Sequence, residues 1–326
     1  MLRWGILSTG TIAKKFAVTL GGMKGEAVLA GVASRDAEKA RAFADEYGAE
    51  AFFGSYEALV ESDEIDIIYV ATPNKFHFEH TKLCLNAGKH VLCEKPFTTN
   101  ADDARKLYNL ARSKGLFLMD GLWTLHIPMY HKIRQLISEG AIGEVRHVRA
   151  EFGFSPVGAR KEMKMNPSLG GGALLDVGIY NIGFASMVLG INPTGIQAAL
   201  NICDAGTDDF GTAVLTYDGG KSAALSASIG VVMPTEGVIF GTKGRLTLPN
   251  YQMATQMTLY VNGEEPVLFD MPFEINGFEY QIREAARCIK TGLSESSRIN
   301  EEFSVGLLKI LDDIRELGGL RFSFEG

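Results

Sequence analysis

The run Gly88-Lys89-His90-Val91-Leu92-Cys93-Glu94-Lys95-Pro96 ends an apolar strand in an acid, a base and a proline. Ligands of open parallel sheets collect just beyond the carboxyl ends of the strands, which is where Glu94 and Lys95 fall. Pro96 biases Lys95 away from helical dihedrals and so aims its amine, although a surface turn carries such pairs too. Upstream, Ser8-Thr9-Gly10-Thr11-Ile12-Ala13 follows the short apolar run Trp4–Leu7 and opens a helical stretch. This is the form of the dinucleotide fingerprint GxGxxG/A, with Ser8 where the first glycine would stand. Gly10 lets backbone approach a pyrophosphate, Ala13 permits close helix–strand packing, and the helix N-terminus draws the anion. A third stretch, Gly170-Gly171-Gly172-Ala173-Leu174-Leu175-Asp176-Val177-Gly178-Ile179-Tyr180-Asn181, sets a glycine run before a helix. Asp176 and Tyr180, spaced i, i+4, share one helix face; a buried tyrosine bonded to an acid would look the same.

The second strand ends in Ser34-Arg35, where NAD-binding folds carry an acid for the ribose 2′-hydroxyl. A hydroxyl and a guanidinium suit a 2′-phosphate instead, which favours NADP(H). Two alternatives stay open: Ser34 as a simple helix cap, and Asp36 as the acid for NAD(H).

Alternating elements must position these groups. Strands are expected at Trp4–Leu7, Ala27–Ala33, Ala51–Phe53, Ile65–Ala71, Val91–Cys93 and Leu116–Met119, with helices between them. Short loops and a near-continuous apolar fourth strand indicate a doubly wound parallel sheet over residues 1–122. From 123 onward the pattern becomes runs of strands, with Asp218-Gly219-Gly220 as a hairpin signal. Residues 123–326 therefore read as an α+β domain on a large, mostly antiparallel open sheet. Its cover is expected from helices at Leu174–Leu189 and Phe278–Lys290, with the last helix, near Glu301–Leu317, packing back toward the first domain. The 326 residues accord with two domains.

Composition narrows the function classes. A net charge of −7 argues against nucleic acid or an anionic membrane as partner. No apolar run is expected to reach the length of a membrane span, and the N-terminal apolar segment is too short for a signal peptide. Cys84, Cys93, Cys203 and Cys288 form no CxxC pair. This argues against a structural metal or a disulfide framework and suits a reducing cytoplasm.

Gly5–Ala13, Ala71-Thr72-Pro73-Asn74 with His77, and Ala87–Pro96 together resemble the glucose–fructose oxidoreductase/inositol dehydrogenase (Gfo/Idh/MocA) family. The AGKxVLxEKP pattern is its most specific mark. Gly54-Ser55-Tyr56-Glu57, Trp123-Thr124 and the Asp176-x-Gly178-x-Tyr180 run are similar to its dihydrodiol dehydrogenase group. The resemblance implies a hydride passing between nicotinamide C4 and a hydroxyl or carbonyl carbon of a sugar, cyclitol or diol. It implies Tyr180 as acid/base, Lys95 as its electrostatic partner and substrate anchor, and Asp176 as a substrate hydrogen-bond acceptor, with Lys95 itself as the base left open. NADP(H), or else NAD(H), would meet Ser8, Thr9, Gly10, Thr11 and Ile12 at the pyrophosphate. Ser34 and Arg35 would take the ribose phosphate, Thr72, Pro73 and Asn74 the ribose, and His77, Glu94 and Lys95 the nicotinamide end. Trp123 would wall the substrate or the nicotinamide, or else simply pack at the domain boundary, with Arg160, Lys161 and Lys164 available to an anionic or polyhydroxylated ligand. A homodimer, or a dimer of dimers, through the second-domain sheet is implied as well. One departure is Leu125, where the dihydrodiol group has arginine. Two other functions compete: a glycosidase that retains its NAD, for which Ser34-Arg35 is the wrong chemistry, and a non-catalytic dinucleotide-binding sensor.

Overall fold

The computed structural model describes residues 1–322 and 324. The elements of the first part are β1 (Leu2–Leu7), α1 (Thr11–Gly22), β2 (Ala27–Ala33), α2 (Ala37–Tyr47), β3 (Ala51–Phe53), α3 (Tyr56–Glu61), β4 (Ile67–Val70), α4 (His77–Asn86), β5 (His90–Glu94), α5 (Ala101–Ser113) and β6 (Leu118–Gly121). There follow α6 (Pro128–Ser138), β7 (Val145–Gly153), α7 (Gly158–Lys164), α8 (Ile179–Leu189), β8 (Gly195–Ile202), β9 (Asp208–Tyr217), β10 (Lys221–Ser228), β11 (Met233–Gly241), β12 (Gly244–Leu248), β13 (Gln256–Val261) and β14 (Val267–Asp270). The chain closes with α9 (Glu279–Lys290) and α10 (Glu301–Leu317).

Two compact units result. The first gathers Met1–Thr98, Asp102–Trp123 and Glu274–Ser304; the second gathers Thr99–Ala101, Thr124–Phe273 and Val305–Gly326.

Among the described residues, the first unit holds a six-stranded sheet in the order β3-β2-β1-β4-β5-β6. Its pairs are all parallel. Ile67, Ile68, Tyr69 and Val70 are each buried completely, because a central parallel strand is covered on both faces. The order reverses direction at β1 and β4, which places the loops after Leu7 and Val70 at the switch point where such sheets take ligands.

The second unit holds, among the described residues, an eight-stranded sheet in the order β14-β13-β12-β11-β7-β10-β9-β8. Only β7 and β10 pair in parallel among its ladders. The Asp218-Gly219-Gly220 turn joins β9 to β10 as a hairpin, with φ of 73° and 70° at its two glycines. The apolar face of α8 lies on β7 and β10. Phe184 fills the core there, 5.1 Å from the Tyr251 ring.

Two sequence expectations change, one for a helix and one for an apolar run. The helix expected at Phe278–Lys290 does not cover the second sheet. Its residues belong to the first unit, where Phe278 stacks on Trp123 with ring centroids 5.0 Å apart. The last helix begins in the first unit, with Tyr108 donating to Ser304 at 3.1 Å, and from Val305 belongs to the second. There Gly306 sits so close to Ile191 that a Cβ would lie 2.6 Å from its Cδ1. Finally, Pro167–Leu189 is long and apolar enough to cross a membrane, yet 78% of its most apolar window is buried inside the protein. Its apolarity serves the core of the unit.

Candidate functional site

In the first unit the fingerprint loop leaves β1 and turns into α1. Gly10 caps α1 with an extended backbone, φ −72° and ψ 177°, and no side chain satisfies the first helical amides. Orphan N–H groups at a helix start, with the positive end of its dipole, form a ready site for a pyrophosphate. Gly10 needs no special dihedral, and a Cβ there would meet only Ser8 Oγ, at 3.7 Å. Protein packing therefore does not demand glycine at this position; what glycine leaves clear is room for a ligand. Ser8 has φ of 108°, the dihedral that a glycine adopts without strain, and its Oγ accepts weakly from Gly10 N at 3.4 Å. Thr9, Thr11 and Ile12 line the same turn, half-buried or exposed.

At the carboxyl end of β2, Ser34 is buried and its Oγ accepts from Asp36 N at 3.2 Å. Asp36 caps α2, accepting from Glu38 N and Lys39 N at 3.1 and 3.2 Å. The Lys39 backbone bond leads the causes that hold its carboxyl below the usual range. That carboxylate is thus occupied by the helix. Arg35 is exposed and lines a cleft of about 380 Å³ with Gly54, Ser55, Tyr56, Glu57, Thr72, Pro73, Phe76 and His80. Tyr56 and His80, which the sequence did not single out as candidate site residues, thus share this cleft with Arg35.

The loop after β4 and the end of β5 are tied together by His77. Its Nδ1 lies 2.8 Å from Pro96 O and its Nε2 2.7 Å from Thr72 O. A neutral ring can donate to one of these carbonyls only, and burial holds its pKa below the ordinary value. With both nitrogens engaged, His77 acts on the site through the two loops it holds. Asn74 opens the short helical turn that leads into α4.

Glu94 is equally committed. Its carboxylate accepts from the Tyr69 hydroxyl and from Lys95 N, the latter at 3.2 Å. Burial raises its pKa. Beside it, on β6, Asp120 is buried and pushed up to about 7 by desolvation, with Glu94 adding to the rise and Lys95 opposing it. Lys95 is half-buried at the strand end, and the Lys95–Pro96 peptide is cis. A second amine, Lys15 on α1, lies 4.6 Å from the Trp123 ring centroid and 4.4 Å from that of Phe278. Burial lowers its pKa, while Glu94 and Glu279 raise it. The expected substrate wall, Trp123, is thus a packed ring in an aromatic and cationic cluster.

In the second unit the glycine run leads into a π-helical turn, Leu174–Gly178, and then α8. Gly172 has φ of 127°, and a Cβ on it would fall 2.1 Å from Asp208 Oδ1. Asp208 in turn accepts from Leu174 N at 2.6 Å and so fixes the start of the turn. Asp176 lies in the π turn, where Lys164 donates to it at 2.5 Å. Tyr180 is on the first turn of α8, 7% exposed, with its ring centroid 6.1 Å from Phe152. Phe152 continues to Phe154 at 6.1 Å, and the exposed Arg160 sits 5.0 Å over Phe154. Leu125 is buried completely.

The chain is similar to known proteins over most of its length. Residues 2–122 match the oxidoreductase family with an NAD-binding Rossmann fold, and residues 130–247 match the GFO/IDH/MocA C-terminal domain. A trans-1,2-dihydrobenzene-1,2-diol dehydrogenase of Danio rerio is 36% identical, covering 99% of this chain and 98% of its own. The Homo sapiens protein of the same name is 34% identical, with 98% of each chain covered. Among solved structures, a 3-ketoreductase from Actinomadura kijaniata, in complex with NADP and TDP-benzene, superposes with a TM-score of 0.87. It is 29% identical over 97% of both chains. An aldose-aldose oxidoreductase from Caulobacter crescentus, complexed with glycerol, gives a TM-score of 0.88 at 25% identity, covering 98% of this chain and 97% of that one.

Proposed function

The chain belongs to the GFO/IDH/MocA oxidoreductase family, and on that footing we propose that it is an NADP(H)-dependent dehydrogenase or reductase of a sugar, cyclitol or diol. The observation that carries the reading is the unhindered Gly10 at the bare N-terminus of α1, with Arg35 at the end of the next strand. These residues fit a dinucleotide bearing a 2′-phosphate, and Asp36 is engaged elsewhere as a helix cap. NADP(H), when bound, supplies the hydride donor or acceptor.

The chain's own residues would do the rest. The first amides of α1 hold the pyrophosphate, and Ser34 with Arg35 the ribose phosphate. Thr9, Thr11, Ile12, Thr72, Pro73 and Asn74 complete the nucleotide's bed. Tyr180 moves the proton at the reacting oxygen, Lys95 anchors that oxygen, and Asp176 accepts from a neighbouring hydroxyl. A free phenol has a pKa of about 10 and needs a cation nearby to serve as a base near neutrality. Lys95 is proposed as that cation. The Lys164–Asp176 pair supports the assignment, because it balances a carboxylate charge that would otherwise oppose the phenolate. Arg160 and Trp123 are kept as substrate contacts in this reading. We further read the protein as a cytoplasmic homodimer. The free cysteines suit a reducing compartment, and Gln197, Thr212, Val214, Ala224 and Ser226 offer a flat outer sheet surface.

The test is direct. Incubation with NADP⁺ or NAD⁺ and a panel of pentoses, hexoses and diols should raise the absorbance of the reduced cofactor, more with NADP⁺. Tyr180→Phe and Lys95→Met should each cut kcat by roughly 10²–10⁴-fold while NADP⁺ affinity stays within a few-fold. Tight NADP⁺ binding without turnover of any substrate in the panel would overturn the reading.

A further inference from the structure

We propose that His80 is a second reader of the cofactor's 2′-phosphate beside Arg35, and that it reads the phosphate by taking up a proton as NADP(H) binds. The cleft lined by Arg35 and His80 lies beyond the carboxyl ends of β2, β3 and β4, each of which contributes a wall. Arg35 comes from the loop after β2, Ser55 and Tyr56 from the start of α3, and Thr72 and Pro73 from the loop after β4. His80 enters from α4. Its ring is fixed in three ways: Nδ1 lies 3.0 Å from Thr72 Oγ1, Phe76 stacks on it at 5.7 Å, and Tyr56 meets it edge-on at 4.9 Å. With Nδ1 engaged by Thr72, Nε2 is the ring atom left to serve a ligand.

The charged and titratable groups around the ring are Arg35, Glu57, Tyr56 and His77. Burial, His77 and Arg35 together depress the imidazole to about 4, against a smaller opposing pull from Glu57. The ring is therefore neutral in the empty cleft at ordinary pH. A dianionic phosphate between Arg35 and His80 would reverse that balance. It would offset the guanidinium charge and supply an acceptor for a second N–H. A ribose 2′-hydroxyl can accept a hydrogen bond but brings no charge to offset the guanidinium, so NAD(H) should bind without the proton. Discrimination between the two cofactors would then strengthen as pH falls toward 6. Uptake of one proton changes affinity by at most about ten-fold per pH unit.

Proton uptake can be counted without any turnover. NADP⁺ binding is measured calorimetrically at about pH 6.5, close to imidazole's ordinary pKa, in two buffers of different ionisation enthalpy. The same is done with NAD⁺ and with His80→Gln, which keeps an amide for Thr72 but cannot become cationic. The expected result is a fraction of a proton taken up with NADP⁺ by the wild type and lost in His80→Gln. NADP⁺ affinity in the variant should fall several-fold and lose its pH slope, with NAD⁺ affinity unchanged. Equal proton uptake in the two proteins would overturn the proposal. So would an equal loss of NADP⁺ and NAD⁺ affinity, which would mark the ring as a stacking surface for the base. Should the variant fold poorly, the His80 ring resonance of the wild type, followed by NMR with and without NADP⁺, decides the matter. A ring that stays neutral in the complex at the same pH overturns it.

Discussion

At the scale of single residues, the fingerprint loop separates strain from function. Ser8 holds a backbone dihedral of 108° that favours glycine, at a cost on the order of 1–3 kcal/mol. Ser8→Gly is therefore expected to stabilise the protein by about 1 kcal/mol, after allowing for the extra unfolded-state freedom of glycine. Denaturant unfolding checks this, and a fall in stability would mean that the serine bond to Gly10 outweighs the strain. Gly10→Ala should behave in the opposite sense. Its dihedrals suit alanine and its surroundings are open. Stability should thus hold, while NADP⁺ affinity, followed by fluorescence titration, drops about ten-fold or more, or 1.4 kcal/mol per decade. Some candidate residues could be singled out from the sequence and others could not. Ser34-Arg35 stood out because an acid was missing where one was expected. His80 gave no such signal, since a histidine one turn into a helix gains meaning only when β2, β3 and β4 bring their loops around it. His77 stood out in its motif, but its engagement by two carbonyls was not legible.

At the scale of elements, the adjoining ends of β5 and β6 carry an electrostatic tension. Glu94 and Asp120 are both buried there, and Glu94 raises the cost of ionising Asp120. Asp120 has a folded-state pKa of about 7, above its value of about 3.9 in an unfolded chain. A carboxyl raised in this direction contributes stability in full below the unfolded value and loses it as pH climbs through 7. The wild type should accordingly lose stability between about pH 4 and 7, and Asp120→Asn should flatten that slope. Urea unfolding at a series of pH values measures it; an unchanged slope would assign the titration elsewhere. The parallel sheet itself was plain in the sequence, because buried strands such as Ile67–Val70 are continuous apolar runs. The regular helix expected from Leu174 was not what formed. Asp208, thirty-four residues along the chain, accepts from Leu174 N, and a π turn carries Asp176 before α8 begins. An i, i+4 count assumes a uniform helix, so it could name Asp176 and Tyr180 but not the pairing of Asp176 with Lys164.

At the scale of the whole molecule, the assembly reading makes one plain prediction. Light scattering of the purified protein should give twice the 35.4 kDa of one chain, and replacing Val214 on β9 with lysine should shift the mass toward a single chain. A monomeric wild type would refute it. The two kinds of sheet were visible as a change from alternation to strand runs. The return of Glu274–Ser304 to the first unit was not, since an amphipathic helix does not reveal which sheet it will cover. That return gives the molecule a property relevant to its descent and to its redesign. Leu118 N on the edge strand β6 donates to Ser294 O at 2.9 Å, and Trp123 rests on Phe278. A single recombination between two related genes near codon 122 would join one parent's edge strand to the other parent's closing segment. Hybrids of this lineage should survive only when both stretches are inherited together, so exchange of substrate preference calls for two splice points.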